Sequence, residues 1–219
     1  MEFVSASRAN EIATLTMSRG KVNALNENFI DELHEIFREF ENDSQTKALI
    51  FTGSGKFFSF GFDIPEFMPH DRETFKRFLV KFVNLYAYLF LFPKPIIAAI
   101  NGHAIAGGCM LANACDYRMM VSGKTKISLN EITFGASVFC GSVEILKYCV
   151  GQRNAETILM NGNMFTAEAA FELGLVDKVV SIENLKDEGK AKAEELAQKS
   201  PAPFRSIKHL LRKRLVDGF

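Results

Sequence analysis

The spacing of apolar side chains predicts strands that alternate with helices. Glu11–Met17 alternates apolar and polar positions, which predicts a strand. Asn26 then precedes a segment in which apolar residues recur at spacings of three and four, which predicts a helix capped by that asparagine. Its apolar positions are Phe29, Leu33, Ile36, Phe37 and Phe40. Ala48–Phe51 is a short apolar run followed by a glycine-rich turn, which predicts a buried strand.

The middle of the chain repeats this order. An apolar stripe predicts a helix over about Glu73–Phe92, which two prolines bring to an end. Ile96–Ile100 is the next buried strand, Gly107 opens a helix, and Asp116–Val121 is a further strand. Strands that alternate with helices along a chain favour a layered α/β fold.

Beyond Gly135 the pattern becomes mostly helical. Helices are predicted at Val143–Val150, Arg153–Met160 and Ala167–Leu173, with Gly174 as the cap of the last, and a short strand follows at Val176–Val180. Two charged helices, separated near Ser200, close the chain. The basic run Lys208–Leu215 is interpreted as an amphipathic helix with a solvated charged face. The simplest organisation is a core domain over residues 1–180 and a helical segment over residues 181–219.

Composition and charge narrow the class of protein. The chain has 219 residues, of which 47% are hydrophobic and 24% charged, enough for one sizeable core. Lys plus Arg equals Asp plus Glu, at 26 each, so overall charge favours neither a nucleic acid nor a membrane as a partner. No targeting signal is evident at either end, and we therefore expect a cytoplasmic location.

The cysteines indicate a reducing compartment rather than a metal site. None of them forms a CxxC pair and the chain has only four histidines, so no metal is expected. Their apolar surroundings predict buried free thiols. The four are Cys109, Cys115, Cys140 and Cys149.

Two loops that contain glycine follow two of the buried strands, at Phe57–Ile64 and Asn101–Met110. Loops that pass from a strand into a helix expose unpaired backbone N–H groups. One such group from each loop, converging on a point, would make an oxyanion hole. Glycine turns after strands are common, however, and the spacing alone favours a structural role.

Four segments of the chain, in order between Lys21 and Val180, resemble the crotonase (enoyl-CoA hydratase/isomerase) superfamily. They are KVNALN, GKFFSFGFDIPEF, KPIIAAINGHAIAGGCMLANACDYRMM and FTAEAAFELGLVDKVV. The resemblance implies a crotonase-like spiral of ββα units with a helical C-terminal segment. It also implies an acyl-CoA thioester as substrate, no separate cofactor because coenzyme A is part of that substrate, and a homotrimer or hexamer.

The resemblance further assigns the oxyanion hole to the backbone N–H groups of Phe62 and Gly107. These groups would hold the thioester oxygen, on which negative charge develops when an α-proton is removed. Because Gly107 also begins a helix, the positive end of the helix dipole would point at that charge.

The reaction is inferred from the number of carboxylates. Hydratases of the family use two glutamates, and the position of the first is occupied here by Met110. A thioether cannot activate water. The position of the second is Glu131, which leaves one carboxylate, as in the Δ3,Δ2-enoyl-CoA isomerases. Glu131 would take a proton from C2 of a 3-enoyl-CoA and return it to C4, and we expect burial to raise its pKa.

Further substrate contacts are carried over from the resemblance. Phe60 stands where the family usually has a small residue beside the adenine of coenzyme A, and Phe139 and Cys140 would shape the acyl pocket. The predicted substrate-binding residues are Lys21, Ser59, Phe60, Asp63, Ile64, Met110, Phe139 and Cys140.

Other functions stay open at this point. One alternative is another crotonase reaction, such as weak hydration, thioester hydrolysis or decarboxylation. The other is a non-catalytic acyl-CoA-binding protein, which the loss of one glutamate also permits. On spacing alone Glu131 would be an ordinary loop carboxylate in an ion pair or a helix cap.

Overall fold

The computed structural model describes residues 1–217. The last two positions of the predicted 181–219 segment, Gly218 and Phe219, lie outside the described residues. The elements of the first half are β1 (Val4–Ala9), β2 (Ile12–Met17), α1 (Glu27–Asn42), β3 (Ala48–Gly53), β4 (Phe57–Ser59), α2 (Ile64–Phe67), α3 (Arg72–Leu91), β5 (Ile96–Ile100), β6 (His103–Ile105) and α4 (Gly107–Ala114). Those of the second half are β7 (Tyr117–Val121), β8 (Ile127–Ser128), a 3₁₀ turn (Glu131–Phe134), α5 (Cys140–Asn161), α6 (Ala167–Glu172), β9 (Lys178–Val180), α7 (Leu185–Ala197) and α8 (Pro201–Val216).

The strands form a large sheet and a small one. The large sheet has the order β1-β2-β3-β5-β7-β9 and is parallel except for the β1–β2 pair. The small sheet has the order β4-β6-β8 and is parallel. The chain passes from a strand of the large sheet to a strand of the small one and then into a helix, three times in succession. This arrangement confirms the predicted spiral of ββα units.

The central strands are buried on both faces. In β3, Leu49 and Phe51 belong to the main core, while Ala48 and Ile50 belong to a second cluster on the opposite face. Residues of α7, such as Ala193, complete that second cluster. Burial on both faces explains why the strand was recognisable as a continuous apolar run rather than an alternating one.

The longer predicted elements are confirmed. Asn26 caps α1, since its Oδ1 accepts a hydrogen bond from the backbone N–H of Phe29 at 2.9 Å. The two helices predicted on either side of residue 151 are confirmed as the two halves of α5, because Gly151 between them has a non-helical backbone with a φ of 76°. The strands β4, β6 and β8 were not predicted, because runs of two or three residues show no period.

The prediction of a solvated charged face on Lys208–Leu215 holds for His209, Lys213 and Arg214 but is wrong for Lys208 and Arg212. Lys208 and Arg212 are buried, while Leu210 and Leu211 are exposed by 77% and 59%. The reason is Asp116, at the start of β7, which pairs with Lys208 Nζ at 2.8 Å and with Arg212 Nη1 at 2.9 Å. A counter-charge supplied 92 residues away along the chain is invisible to helical periodicity.

The prediction of four buried thiols holds for two of the cysteines. Cys109 and Cys115 are buried, whereas Cys149 is half-buried and Cys140 is exposed. Cys140 is the first residue of α5, and the exposed loop before it leaves its side chain at the surface. Across residues 1–217, no helix combines the length and the apolar character that crossing a bilayer requires.

The buried ion cluster on α8 leads to a prediction about stability. Burial lowers the pKa of Lys208 to about 8, below its value in an unfolded chain. The folded state therefore holds this proton less tightly than the unfolded chain does. Burying the charged ammonium lowers the stability of the fold below about pH 8, and this loss of stability disappears as the pH rises toward about 10.4. Lys208→Met removes this titration, so the rise in unfolding free energy that we expect of the wild type above about pH 8 should be absent from the variant.

Denaturant unfolding of the two proteins between pH 7 and pH 10 measures this difference. Lys213→Met on the exposed face of α8 is the matched control and should change stability little at any pH. A Lys208→Met protein whose unfolding free energy rises with pH over this range as much as that of the wild type would contradict the prediction.

Candidate active site

We refer to the two loops predicted to supply the oxyanion hole, Phe57–Ile64 and Asn101–Met110, as the first and second oxyanion loops. The first is held in place by the KVNALN segment. Asn23 is fully buried in a left-handed conformation with a φ of 50°. Its Nδ2 donates to the carbonyl oxygens of Phe57 at 3.0 Å and Phe58 at 3.2 Å. Ser59 Oγ donates to the Asn23 carbonyl at 2.7 Å and accepts from the N–H of Gly61 at 3.2 Å. These contacts give the segment a structural role that its sequence did not reveal.

The backbone pairing around Phe62 leaves its N–H free. The N–H of Leu25 donates to the carbonyl of Gly61 at 2.7 Å, and the N–H of Asp63 donates to the carbonyl of Leu25 at 2.9 Å. The two hydrogen bonds of this bridge are made by the residues on either side of Phe62, so the Phe62 N–H takes part in neither. Among the described residues, no group accepts a hydrogen bond from the Phe62 N–H. It is therefore available to an external acceptor.

The N–H of Gly107 is presented by a strained residue. Ala106 has a φ of 49° and a ψ of −118°, a conformation that costs a non-glycine residue of order 1–3 kcal/mol. Gly107 is the first residue of α4, and the first intrahelical bond runs from Met110 N–H to the Ala106 carbonyl at 3.0 Å. Within residues 1–217 the Gly107 N–H has no acceptor. The helix end adds positive potential at this point.

The two oxyanion loops pack directly against each other. A methyl group added at Gly108 would lie 2.2 Å from the Ser59 carbonyl oxygen, and one added at Gly61 would lie 3.0 Å from Gly107 N. The Phe62 ring lies over Gly107, as a methyl group added there would be 3.0 Å from Phe62 Cε1. Glycine is therefore required on both loops for the close approach.

Both loops open on a cavity of about 660 Å³. Its wall is mainly apolar and includes Phe60, Phe62, Ile64, Phe75, Leu79, Ile105, Met110, Phe134, Val138 and Phe139. The polar side chains in the wall are Asn130, Glu131 and Ser137. Across the described part of the chain, Glu131 is the only carboxylate that lines this cavity.

Glu131 is a buried carboxylate with an unused oxygen. It begins the 3₁₀ turn and is 8% exposed. Its Oε2 is buried and, among residues 1–217, has no hydrogen-bond partner. Burial raises the pKa of Glu131 above the usual range of a glutamate. A carboxylate that is desolvated and unpaired in an apolar cavity is suited to taking up a proton.

The structure brings together seven of the predicted site residues. The cavity is lined by Phe60, Phe62, Ile64, Gly107, Met110, Glu131 and Phe139. Four others lie outside it: Lys21 is exposed, Ser59 is buried within the first oxyanion loop, and Cys140 is exposed at the start of α5. Asp63 pairs with Arg19 at 2.6 Å and caps α2. The structure supports no cavity contact for these four residues.

Several residues of the cavity were missed from the sequence. Phe75 and Leu79 were assigned only to the apolar side of a helix, and the pattern contains no signal that they reach the site. Ala106 was missed because its strained backbone leaves no trace in residue type. Asn130 could have been predicted as a cavity residue, because it is the neighbour of Glu131 in the sequence. Its buried Oδ1 has no hydrogen-bond partner among the described residues.

The raised pKa of Glu131 predicts a stability effect. Because its folded pKa lies above the unfolded value, the folded state keeps the proton at pH values where the unfolded chain has lost it. The resulting stability is present below the unfolded pKa and is lost as the pH rises through the folded pKa. Glu131→Gln has no such loss, so it is expected to be more stable than wild type at neutral pH, with the difference shrinking toward pH 4. Thermal unfolding at several pH values measures this, and a variant less stable at pH 7 would contradict it.

Comparison with known proteins places this chain in a family. The family model described as enoyl-CoA hydratase/isomerase matches residues 7–217. The chain is 31% identical to a short-chain-enoyl-CoA hydratase of Clostridium acetobutylicum, over 96% of this chain and 81% of that protein. It is 33% identical to the mitochondrial enoyl-CoA hydratase of Pongo abelii, over 91% of this chain and 69% of that protein.

Among solved structures, human mitochondrial Δ3,Δ2-enoyl-CoA isomerase is similar to this chain with a TM-score of 0.96 and 26% identity. That match covers 98% of this chain and 85% of the human one. The matches agree with the spiral of ββα units. The chain belongs to the enoyl-CoA hydratase/isomerase family of the crotonase superfamily.

Proposed function

We propose that this protein is a Δ3,Δ2-enoyl-CoA isomerase that works with Glu131 as its single base. The observation that carries the proposal is the cavity wall, in which Glu131 is the only carboxylate of the described residues. Met110 lines the same cavity and, by the resemblance, stands where hydratases have a second carboxylate. Moving a double bond needs one base, because the proton removed from one carbon is returned to another. Hydration needs a group that activates water, and a thioether cannot do so.

The proposed reaction begins when the substrate thioester oxygen accepts hydrogen bonds from the N–H groups of Phe62 and Gly107. The Glu131 carboxylate takes a proton from C2, and the C–H electron pair forms the C1–C2 double bond of a dienolate whose charge lies on the thioester oxygen. The neutral Glu131 then gives the proton to C4, which binds it with the electron pair of the C3–C4 double bond. The C1–C2 electron pair moves to C2–C3, and the thioester C=O bond forms again. Each donor at the oxygen contributes about 10²–10³-fold to the rate.

The apolar wall supports the same reaction. Met110 is 3% exposed and lines the same cavity as Glu131, at a position from which a glutamate could orient water. Without a second carboxylate, no water molecule is activated for attack on the conjugated product, which is therefore released without being hydrated. The structural similarity to the human isomerase is consistent with this assignment.

Hydration is the second candidate function. It is favoured by the names of the two curated relatives, both of which are hydratases. Glu131 alone would then have to serve as both acid and base for the addition of water.

The test is a direct comparison of a 3-enoyl-CoA and a 2-enoyl-CoA, with double-bond movement and hydration both followed. We expect rapid conversion of the 3-enoyl ester to the conjugated ester and slow hydration of the 2-enoyl ester. Hydration faster than isomerisation would favour the second candidate. Saturable binding of both esters without turnover would favour a non-catalytic acyl-CoA-binding protein.

A further inference from the structure

Arg19 does not line the cavity, but it lies beside the backbone bridge that presents the Phe62 N–H. This bridge pairs Leu25 with Phe62. Arg19 Nη1 donates to the carbonyl oxygen of Ala24, the residue before Leu25, at 2.8 Å. The same nitrogen donates to Oδ2 of Asp63, the residue after Phe62, at 2.6 Å. One guanidinium nitrogen therefore joins the two chain segments that form the bridge.

Arg19 is itself held from several sides. Its backbone N–H donates to Asn23 Oδ1 at 2.8 Å, and the N–H of Asn23 donates to the Arg19 carbonyl at 3.0 Å. Its Nη2 donates to Glu66 Oε2 at 2.7 Å, and the guanidinium lies over the Phe3 ring, 5.5 Å from the ring centre. The side chains of Arg19 and Asp63 are only 17% and 21% exposed, so solvent screens this ion pair less than a surface pair.

Asp63 divides its two carboxylate oxygens between α2 and Arg19. Oδ1 accepts from the N–H of Glu66 at 3.4 Å as the N-cap of α2, and Oδ2 accepts from Arg19. The backbone N–H of Asp63 donates to the Leu25 carbonyl at 2.9 Å. Only the two dihedral angles of Phe62 separate the peptide unit of this N–H from the one that carries the Phe62 N–H. The position of Asp63 therefore restricts the direction of the oxyanion donor.

The charges around Arg19 favour a role within the protein over the binding of an anion. The carboxylates of Asp63 and Glu66, at 2.6 Å and 2.7 Å, more than balance its single positive charge. An anionic group such as a phosphate would be repelled by these carboxylates and would have to displace one of them from the guanidinium. The contacts of Arg19 therefore serve the first oxyanion loop.

We propose that Arg19 is a positioning residue of the oxyanion hole, which orients the Phe62 N–H through Asp63 and the Ala24 carbonyl. The inference rests on the proposed function, which makes the oxygen of an acyl thioester the acceptor of this N–H. Without the guanidinium, the two segments of the bridge lose their shared donor, and the Phe62 N–H is free to turn away from the thioester oxygen. A misplacement of about 1 Å in an active site lowers the rate about a hundredfold.

The first test is Arg19→Met, which keeps an apolar stem but removes every hydrogen bond of the guanidinium. The bridge retains its own two backbone bonds, so we expect kcat for a 3-enoyl-CoA to fall about tenfold or more rather than to vanish. KM should change little, because the hydrogen bonds to the thioester oxygen strengthen as charge develops in the transition state. Arg8→Met is the matched control, since it removes an exposed arginine paired with Asp43 at 3.1 Å, and it should retain the wild-type kcat.

Asp63→Asn tests whether Arg19 acts through Asp63. Asparagine caps a helix as well as aspartate does, but an amide that keeps the cap of α2 turns its NH₂ donor toward Arg19 Nη1. We expect this variant to lose kcat in the same way as Arg19→Met. The double variant should be little worse than either single variant, because both remove one interaction. Losses that multiply in the double variant would exclude action through Asp63.

Infrared spectroscopy of a bound saturated ester separates this inference from the proposed function. Hydrogen bonds to the thioester oxygen lower the frequency of the C=O stretching band, which is measured without turnover on hexanoyl-CoA isotope-labelled at that carbonyl. We expect wild type to lower the frequency and Arg19→Met to lower it less, which a loss of overall stability would not cause.

If the band responds in this way but no 3-enoyl-CoA is isomerised, the proposed reaction fails and the role of Arg19 stands. If the folded Arg19→Met and Asp63→Asn proteins give the same band as wild type, the role of Arg19 is overturned. A wild-type protein that leaves the band of the bound ester at its position in free ester overturns it as well.

Discussion

Glu131→Gln is expected to abolish isomerisation of a 3-enoyl-CoA. The amide is nearly isosteric with the carboxylate and preserves the packing of the 3₁₀ turn, but it cannot accept the C2 proton. A positioned general base contributes about 10²–10⁴-fold, and no other carboxylate among residues 1–217 lines the cavity to replace it. We therefore expect kcat to fall to the limit of detection.

Two measurements separate this loss from unfolding. Unfolding would require Glu131→Gln to be less stable than wild type, but we expect it to be more stable at neutral pH, because the variant has no buried charge at this position. Binding of a saturated acyl-CoA should persist, because both oxyanion N–H groups remain. Glu172→Gln, on the exposed surface of α6, is the matched control and should retain full activity. Isomerisation by Glu131→Gln at a rate close to wild type would exclude the single-base mechanism.

The pH dependence of the wild-type reaction follows from the same group. Glu131 must be ionised to accept the proton, so activity rises as the pH passes upward through its pKa. Because burial raises that pKa, the acidic limb of the kcat/KM profile should lie above the range of an ordinary glutamate.

The long elements were predictable because each has a period or an uninterrupted apolar run. α1 and β3 are examples, and the order of such elements was sufficient for the fold class. The small sheet was not predictable, since β4, β6 and β8 have two or three residues each and are stabilised by their neighbours rather than by local pattern. The burial of Lys208 was not predicted for a related reason. Asp116, the ion-pair partner that permits this burial, lies far away along the chain.

The candidate site was predictable only where residue type carries the chemistry. The resemblance pointed to Glu131 and Met110, since on spacing alone Glu131 would be an ordinary loop carboxylate. Residue type then indicated the chemistry, because a carboxylate can accept a proton and a thioether cannot. The oxyanion groups are backbone N–H groups, and only the resemblance pointed to Phe62 and Gly107. The conformation of Ala106, which helps to aim one of these groups, could not be predicted because strain is a property of the fold.

Gly61→Ala is expected to impair the oxyanion hole while leaving Glu131 intact. The added methyl group would lie 2.9 Å from the Ile105 carbonyl oxygen and 3.0 Å from Gly107 N. Such contacts are too close for carbon, so the loops must move apart or the methyl group must cover the Gly107 N–H. Losing one donor typically lowers the rate about 10²–10³-fold, and we expect a loss of that size in kcat/KM.

The substitution also strains the backbone, because Gly61 has a φ of 88°. Gly55→Ala is the control that measures the effect of backbone strain alone. Gly55 has a φ of 66°, but a methyl group there would meet nothing within 4 Å. Both variants should lose stability by roughly 1–2 kcal/mol from the left-handed conformation. Gly61→Ala alone should lose most of its activity, and equal activity of the two folded variants would show that the Gly107 N–H does not hold the thioester oxygen.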